Sequence, residues 1–390
     1  MRILAIETSC DETAISIIES QENASEVSFD VLANKIVSQI DIHKEFGGVF
    51  PAVAKREHSK AFVPLLSTAL QSAGLLQIHS NLPQALPESL ATLLAREPEL
   101  LEALAECATW QRPEIDAIAV TSGPGLEPAL WVGINGAKAL SLLWNIPLYA
   151  INHMEGHIFA SVLEKNEHGY TVPTLTFPAL ALLISGGHTE LIHIEKFGSY
   201  TKIGETRDDA IGEAFDKVAR LLGLQYPGGP KISKLAAEAR TENLVNERIP
   251  SLPRPMIHSG DLHFSFSGIK TAVLYLTQKL GELTDSDKKA IAREFEDAVT
   301  EVLISKCKKA LEETQAQTLI LGGGVSANSY IREHIQTLCS ELGVRAYIPE
   351  QHLSTDNALM IGITALLKIR TGVQPDALEQ VRANGNLSLE

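Results

Sequence analysis

The chain contains the same local pattern twice, and this repetition constrains the fold more than any other feature of the sequence. Near the N-terminus, the apolar run of residues 3–6 ends in a polar turn, and an apolar run resumes at residues 14–18. Residues 179–184 are again apolar, Ser185-Gly186-Gly187-His188-Thr189 form a second turn, and residues 190–194 are again largely apolar. Two short apolar runs joined by a polar turn are typical of two paired strands. The sequence therefore predicts two similar hairpins, one in each half of the chain.

A glycine loop also follows a predicted strand in each half. Residues 115–121 precede Ser122-Gly123-Pro124-Gly125, and residues 319–321 precede Gly322-Gly323-Gly324-Val325-Ser326-Ala327-Asn328. A helix is predicted after each loop. Strand, loop and helix in this order are typical of an α/β sheet, whose ligands bind at the ends of the strands. We therefore expect an α/β fold of two similar lobes with a cleft between them.

The length of 390 residues suits two domains of roughly 100–200 residues each. We expect an N-terminal α/β lobe at residues 1–150, with a helical insertion at about residues 75–112. The C-terminal α/β lobe, with helical insertions of its own, is expected at residues 151–354. The apolar helix at about residues 355–370 is expected to pack back onto the first lobe.

Charge and cysteine content limit the partners and the compartment. The chain has 33 basic and 48 acidic residues, a formal net charge of −15, so an RNA partner would need a local basic patch or a helper protein. The four cysteines form no C-x-x-C pair, which argues against a zinc knuckle or a disulfide framework. The most apolar stretch, at residues 177–184, is far shorter than the ~20 residues that span a bilayer. We expect an unexported, cytoplasmic protein.

Two histidines suggest a metal site. His153 and His157 are four residues apart at the start of a predicted helix, so both imidazoles lie on one helix face. This spacing suits two ligands of one transition metal, but an ordinary hydrogen-bonded pair explains it equally well. Zinc proteases of the H-E-x-x-H type carry a glutamate directly after the first histidine, whereas Glu155 is at the second position. Asp356 precedes the last apolar helix, where its residue type suits an N-cap.

The glycine turns are candidate sites for an anion. Glycine has no Cβ, so backbone N–H groups of the turn at residues 185–189 can approach a phosphate closely. The loop at residues 322–328 exposes N–H donors before a helix, and Asn328 could orient a base or a ribose there. Neither segment contains the lysine of a Walker loop, which argues against a P-loop enzyme.

Five longer motifs occur in order along the chain: Ile6-Glu7-Thr8-Ser9-Cys10-Asp11-Glu12-Thr13, Asn152-His153-Met154-Glu155-Gly156-His157, Ser185-Gly186-Gly187-His188-Thr189, Phe264-Ser265-Phe266-Ser267-Gly268-Ile269-Lys270-Thr271 and Gly323-Gly324-Val325-Ser326-Ala327-Asn328. Together they resemble the TsaD family, the tRNA N6-adenosine threonylcarbamoyltransferases, once described as O-sialoglycoprotein endopeptidases. The resemblance spans essentially the whole chain. It departs from the family mainly at the acidic insertion near residues 75–112.

This resemblance implies the α/β fold of actin, Hsp70 and the sugar kinases (the ASKHA fold), with a nucleotide between two lobes. It also implies transfer of a threonylcarbamoyl group from threonylcarbamoyl-AMP to N6 of the adenosine that follows the tRNA anticodon, with release of AMP. The tRNAs concerned read codons that begin with adenine. A sugar-kinase-like ATP phosphotransferase and a metal-dependent glycoprotease are the alternatives.

The site residues are carried over from the family motifs one by one. One divalent metal ion per subunit, Fe(II) in the first place and Zn(II) as the alternative, is expected on His153, His157 and Asp356. The residues expected to contact substrate are Leu183, Ile184, Ser185, Gly186, Gly187, Asp216, Gly229 and Asn328. The resemblance assigns no separate catalytic base. The partners it implies are tRNA, a paralogue of the same fold named TsaB, and a small ATPase named TsaE.

Overall fold

Two β-sheets, one of seven strands and one of five, organise the chain in this computed structural model. The structure describes residues 1–21, 27–78, 88–95 and 97–389. The chain divides into two units, of which the first is Met1–Thr174 with Asp356–Leu389 and the second is Leu175–Thr355. Each unit contains one sheet with helices packed against it, so the predicted α/β fold class is confirmed.

The described residues form these strands: β1 (Arg2–Glu7), β2 (Glu12–Ser20), β3 (Val27–Ser38), β4 (Ala117–Gly123), β5 (Leu148–Asn152), β6 (Glu164–Lys165), β7 (Gly169–Val172), β8 (Ala179–Ile184), β9 (Thr189–Lys196), β10 (Ser199–Glu205), β11 (Thr318–Gly322) and β12 (Arg345–Tyr347). They form these α-helices: α1 (Ile40–His43), α2 (Pro51–Ser72), α3 (Glu88–Leu93), α4 (Pro98–Leu104), α5 (Glu127–Trp144), α6 (His153–Ser161), α7 (Ile211–Leu221), α8 (Gly228–Thr241), α9 (Ser267–Leu280), α10 (Asp285–Thr314), α11 (Ser329–Leu342) and α12 (Ala358–Arg370). None of the described helices is both long and apolar enough to cross a membrane.

The sheet of the first unit has the strand order β5-β4-β1-β2-β3-β7-β6. β1 pairs antiparallel with β2, as the first predicted hairpin requires, and parallel with β4. Both β1 and β4 are almost entirely buried, as is usual for strands that are covered on both faces. Leu4 and Ile6 join the core formed with α2 and α5, whereas Ala5 faces α12. Gly362 of α12 permits this contact, because a Cβ added there would lie 3.3 Å from the Cβ of Ala5.

The first segment of the first unit ends at residue 174, not at residue 150 as expected. Helix α6 follows directly on β5, and β7 pairs antiparallel with β3, so both belong to the first unit. The last helix also belongs to this unit, since α12 packs on β1, β2 and α6. The local pattern of residues 151–174 contains no sign of this pairing, because β3 and β7 are far apart in sequence.

The expected insertion at residues 75–112 contributes α3, α4 and a short 3-10 helix at Glu106–Thr109. Its residues 79–87 and 96 lie outside the described residues. Its buried apolar side chains belong to the same core as α2 and α5; they are Leu90, Leu94, Leu100, Leu104, Cys107 and Trp110. The described part of the insertion is thus an extension of the first unit's core.

The C-terminal segment after α12 runs back over the first unit. The N–H of Asp376 donates to Leu148 O, and the N–H of Asn384 donates to Ser122 O in the first glycine loop. In the same loop, Gly125 donates its N–H to Gly385 O. Asn384 N, Gly385 O and Ser388 O, the last described below, are thereby bound near the C-terminal ends of β4 and β5, whereas Asp376 N is bound at the start of β5.

The sheet of the second unit has the order β10-β9-β8-β11-β12. β8 and β9 form the second predicted hairpin, and β8 also pairs in parallel with β11. Helix α10 begins with a capping box, in which Thr284 and Asp287 each bind the other's backbone N–H. Phe295 of α10 lies in the core of this unit, where its ring contacts Phe215 of α7 edge to face, with 5.0 Å between the centroids.

Candidate metal centre and substrate loops

Helix α6 places two histidines in successive turns beside the sheet. It begins at His153, because the side-chain oxygen of Asn152 accepts hydrogen bonds from the N–H groups of Met154 (2.8 Å) and Glu155 (3.2 Å). The Nδ2 of Asn152 donates to Ser388 O in the C-terminal segment at 3.1 Å. The side chain of Asn152 therefore caps α6 through its oxygen and binds the C-terminal segment through its nitrogen.

Asp356 lies beside both histidines although it is about 200 residues away in sequence. Its Oδ1 is 3.4 Å from His153 Nε2 and 3.2 Å from His157 Nε2. The two imidazoles meet edge to face with 4.7 Å between their centroids, and one ligand atom from each of the three residues lies within 4.8 Å of the others. The N-cap alternative for Asp356 is wrong, because α12 is capped by Asn357, whose side chain accepts from Met360 N at 3.1 Å.

The three side chains have the donor set of a divalent transition metal, two imidazole nitrogens and a carboxylate oxygen. His157 is 1% exposed, and within the described part of the chain its Nε2 makes no hydrogen bond of good geometry, although Asp356 Oδ1 lies 3.2 Å away. A buried polar atom without a hydrogen-bond partner is costly unless it binds something else. The residues present therefore fit a metal ion.

Opposite charges attract one another within the cluster. Burial alone would lower the pKa of His153, but the attraction of Asp356 and Glu7 outweighs it and raises that pKa to about 10. Burial would raise the pKa of Asp356, yet His153 and His157 hold it well below its usual range. Since a metal-binding imidazole nitrogen carries no proton, metal binding here releases protons.

Glu7 is a further buried carboxylate at this site, to which the sequence motifs assigned no role. It ends β1 and is fully buried. Its Oε2 lies 3.1 Å from His153 Nδ1 and accepts from Thr121 Oγ1, while its Oε1 accepts from Ser9 N. The signal in the sequence is a lone acidic residue at the end of an otherwise apolar strand.

Two other acidic residues near the site have different surroundings. Burial, with the negative charge of Asp11 adding to it, raises the pKa of Glu12 to about 9, so Glu12 is neutral at pH 7. Glu155, which lies one position after the glutamate of an H-E-x-x-H zinc protease, forms an ion pair with Lys368 at 2.7 Å. Neither carboxyl group belongs to the His153, His157 and Asp356 cluster.

The expected substrate residues of the second unit begin at the end of β8. Leu183 and Ile184 are buried strand residues, so their side chains are not available to a ligand. Gly186 and Gly187 are exposed, and a Cβ added to either would meet nothing within 4 Å. Ser185 Oγ accepts from the N–H groups of Gly187 (3.3 Å) and His188 (3.0 Å). A phosphate would have to compete with this hydroxyl for those two donors.

The turn and the second glycine loop are in contact. Gly323 has φ +88° and lies so close to Ile184 O that an added Cβ would overlap that oxygen. Gly212 at the start of α7 donates its N–H to Ser185 O at 3.2 Å. The ends of β8 and β11 and the start of α7 thus meet at one place in this unit.

Asp216 and Asn328 contact helix α8, and Gly229 lies in its first turn. Asp216 Oδ1 accepts from Gly228 N at 2.7 Å and also hydrogen-bonds Gly229 N, while burial raises the pKa of this carboxyl. Asn328 caps α11 through Ile331 N at 3.0 Å. Its Nδ2 donates to Ser233 Oγ in α8 and to Glu296 Oε1 in α10, both at 2.7 Å. A base or ribose that accepts from Nδ2 would therefore have to replace one of these two bonds, whereas Oδ1 has a second lone pair.

The fold and the site together define an α/β protein of the actin, Hsp70 and sugar-kinase class that carries a group of residues able to bind a metal. Full-length HypF, in a phosphate- and nucleotide-bound form, has a similar fold with a TM-score of 0.51 and 13% sequence identity. That similarity covers 96% of this chain, which spans 47% of the HypF chain. The ROK hexokinase from Thermus thermophilus is 12% identical with a TM-score of 0.40, over 95% of this chain and 100% of that one.

The sequence identifies the family more narrowly than the fold does. Residues 30–78 and 90–363 match the family TsaD: tRNA N6-adenosine threonylcarbamoyltransferase. The chain belongs to this family, which confirms the resemblance drawn from the five motifs.

Proposed function

We propose that the protein transfers the threonylcarbamoyl group of threonylcarbamoyl-AMP to N6 of the adenosine that follows the anticodon in tRNAs reading codons that begin with adenine. The products are N6-threonylcarbamoyladenosine and AMP. The observation that carries this proposal is the convergence of His153, His157 and Asp356 in a chain of the TsaD family. A tRNA substrate also makes the cytoplasm the expected compartment.

The first unit would supply the metal site. His153 and His157 would bind one divalent ion through Nε2, and Asp356 through a carboxylate oxygen; Fe(II) is the expected ion and Zn(II) the alternative. When bound, such an ion supplies a Lewis acid that stabilises negative charge developing on an oxygen of the transferred group. Three protein ligands leave coordination positions for a substrate, as in catalytic rather than structural sites.

The second unit would supply the adenylate contacts. Ser185, Gly186 and Gly187 would hold the phosphate of the adenylate through backbone N–H groups, exchanging the hydrogen bonds that Ser185 Oγ now accepts. The backbone of Leu183 and Ile184 would border this site. Asp216, Gly229 and Asn328 around α8 would contact the rest of the substrate. Holding donor and acceptor in line is the main task, because an exocyclic adenine amine is a weak nucleophile.

Transfer from the adenylate to tRNA is measured directly with purified protein, synthetic threonylcarbamoyl-AMP and unmodified tRNA. Modified adenosine, detected by mass spectrometry after nuclease digestion, should appear together with equimolar AMP. A parallel reaction with ATP and assorted sugars tests the phosphotransferase alternative. Sugar phosphorylation without any adenosine modification, in the presence of the partner proteins, would overturn the proposal.

The net charge of −15 motivates the proposal that partner proteins, a TsaB paralogue and a TsaE ATPase, help to bind the polyanionic tRNA. An exposed apolar surface of the first unit is available for one of them. Phe46 and Phe50 are 56% and 52% exposed and their rings stack at 5.9 Å, with the partly exposed Ile42 nearby in sequence.

Paired substitution of Phe46 and Phe50 by serine tests this surface. The double variant should bind a TsaB paralogue at least ten-fold more weakly in calorimetry, since exposed aromatic residues are typical anchors of interfaces. Val245→Ser is the matched control, because Val245 is 84% exposed and belongs to the second unit. Equal affinity of the double variant and the control would show that the partner binds elsewhere.

A further inference from the structure

The starting observation is that Glu7 is a fully buried acidic residue at the end of an apolar strand. Burying a carboxylate is costly unless its oxygens accept hydrogen bonds. Glu7 has three donors facing it, the N–H of Ser9, the hydroxyl of Thr121 and the Nδ1 edge of His153. Of these three groups, only the imidazole also belongs to the candidate metal site.

The arrangement fixes which nitrogen of His153 keeps its proton when a metal binds. Both ring nitrogens face carboxylates, Nδ1 at 3.1 Å from Glu7 Oε2 and Nε2 at 3.4 Å from Asp356. A carboxylate only accepts hydrogen bonds, so the contact with Glu7 favours a proton on Nδ1. An imidazole that binds a metal has one N–H, and a proton on Nδ1 then leaves the lone pair on Nε2, which faces the other two ligands.

We propose that Glu7 is a positioning residue that holds the ring of His153 and keeps its proton on Nδ1, so that Nε2 is free to bind the metal. This inference rests on the metal site of the proposed function. A hydrogen-bonded carboxylate behind a histidine ligand typically contributes 10–100-fold to metal affinity. Glu7 acts through His153 and contacts none of the other two ligands within the described cluster.

The substitution Glu7→Gln tests the proposal sharply because Ser9 N can only donate. The glutamine oxygen therefore has to stay on Ser9 N, and its NH₂ group turns toward His153. When Nε2 binds a metal, the remaining imidazole proton lies on Nδ1 and then faces the NH₂ group, donor against donor. The uncharged hydroxyl of Ser9, 3.2 Å from Nδ1, then replaces the carboxylate as the acceptor of this proton. The metal-bound state should lose stability, while the size of the side chain is unchanged.

Thr121→Val is the matched control. It removes the other side-chain donor to the same carboxylate and keeps both the volume and the contact between Glu7 and His153. If Glu7 only supports the turn after β1, the two substitutions should act alike, lowering stability and leaving metal affinity unchanged. If Glu7 positions His153, only Glu7→Gln should weaken metal binding.

The experiment measures Zn²⁺ and Co²⁺ affinity of the full-length chain by competition with a chelator, with nitrogen-15 NMR of the zinc-loaded histidines. We expect a 10–100-fold loss for Glu7→Gln, less than two-fold for Thr121→Val, and a protonated Nδ1 on His153 in the unsubstituted protein. Equal affinity of Glu7→Gln and the unsubstituted protein would overturn the positioning role alone. Zinc bound through Nδ1 of His153 would overturn it without any variant, and absence of metal binding by the unsubstituted protein would overturn the metal site as well.

Discussion

Replacement of Asp356 by alanine is expected to abolish metal binding and threonylcarbamoyl transfer together while leaving helix α12 intact. The structure supports this separation because two neighbouring residues have different tasks. Asp356 lies 3.4 and 3.2 Å from the histidine nitrogens, whereas Asn357 caps the helix. The proposed metal ligand and the N-cap are thus consecutive residues that can be substituted one at a time.

The expected magnitudes differ in kind. Loss of an outer hydrogen-bonding partner of a metal ligand costs about 10–100-fold in affinity, so the loss of one of three direct ligands should exceed ~100-fold, or roughly 2.7 kcal/mol. Asn357→Ala removes one cap and should lower the free energy of unfolding by about 1 kcal/mol, within a range of about 0.5–2 kcal/mol. Asn357→Ala should leave metal content and transfer activity unchanged.

Metal analysis of the purified variants, urea unfolding of their metal-free forms and the transfer assay together separate the two outcomes. Circular dichroism checks that helix content is preserved in both. Full metal occupancy of Asp356→Ala would refute the assignment of the carboxylate as a ligand. Loss of metal from Asn357→Ala would instead show that the site depends on the start of α12 rather than on Asp356 itself.

Three other changes have directions that follow from local contacts. Gly187→Val should leave stability unchanged, because a Cβ there meets nothing within 4 Å, and should weaken adenylate binding in calorimetry. Gly323→Ala should instead lower the free energy of unfolding by about 1–3 kcal/mol in urea titrations, because Gly323 has φ +88° and a Cβ there would overlap Ile184 O. Burial would raise the pKa of Asp287, but hydrogen bonds from Thr284 and Asn246 outweigh it and lower that pKa. The stability contributed by Asp287 is therefore present above its unfolded value of about 3.9 and lost as pH falls through the folded value, so unfolding curves of Asp287→Asn should depend less on pH below about pH 4.

Local patterns in the sequence predicted the elements that carry the site. The apolar runs at residues 3–6 and 179–184 lie within β1 and β8, and the spacing of His153 and His157 correctly placed both on one helix face. These predictions succeeded because they depend on neighbouring residues and on the 3.6-residue period of a helix. The third member of the metal cluster, Asp356, came only from the family resemblance.

Contacts between distant segments could not be predicted in this way. The pairing of β3 with β7 moved the boundary to residue 174, and no local pattern indicates which strands pair across more than 100 residues. The bond between Glu7 and His153 is of the same kind. Asn328 illustrates a different limit, because its residue type fits a ligand contact and a helix cap equally well, and its present hydrogen bonds are all with the protein.

The two glycine loops each follow a strand and precede a helix, but they have different neighbours in the structure. After β11, the loop that contains Gly323 packs against the end of β8. In the turn that follows β8, a Cβ added to Gly187 would meet nothing within 4 Å. After β4, the room beside Gly123 is filled by Asn384 O of the C-terminal segment, and Ser122 and Gly125 are already hydrogen-bonded to that segment. In the first unit, the C-terminal segment of the chain thus occupies the position beside the glycine loop. In the second unit, a ligand could take the corresponding position. At the loop after β4, the contacts of Ser122, Gly123 and Gly125 are thus made by an internal peptide.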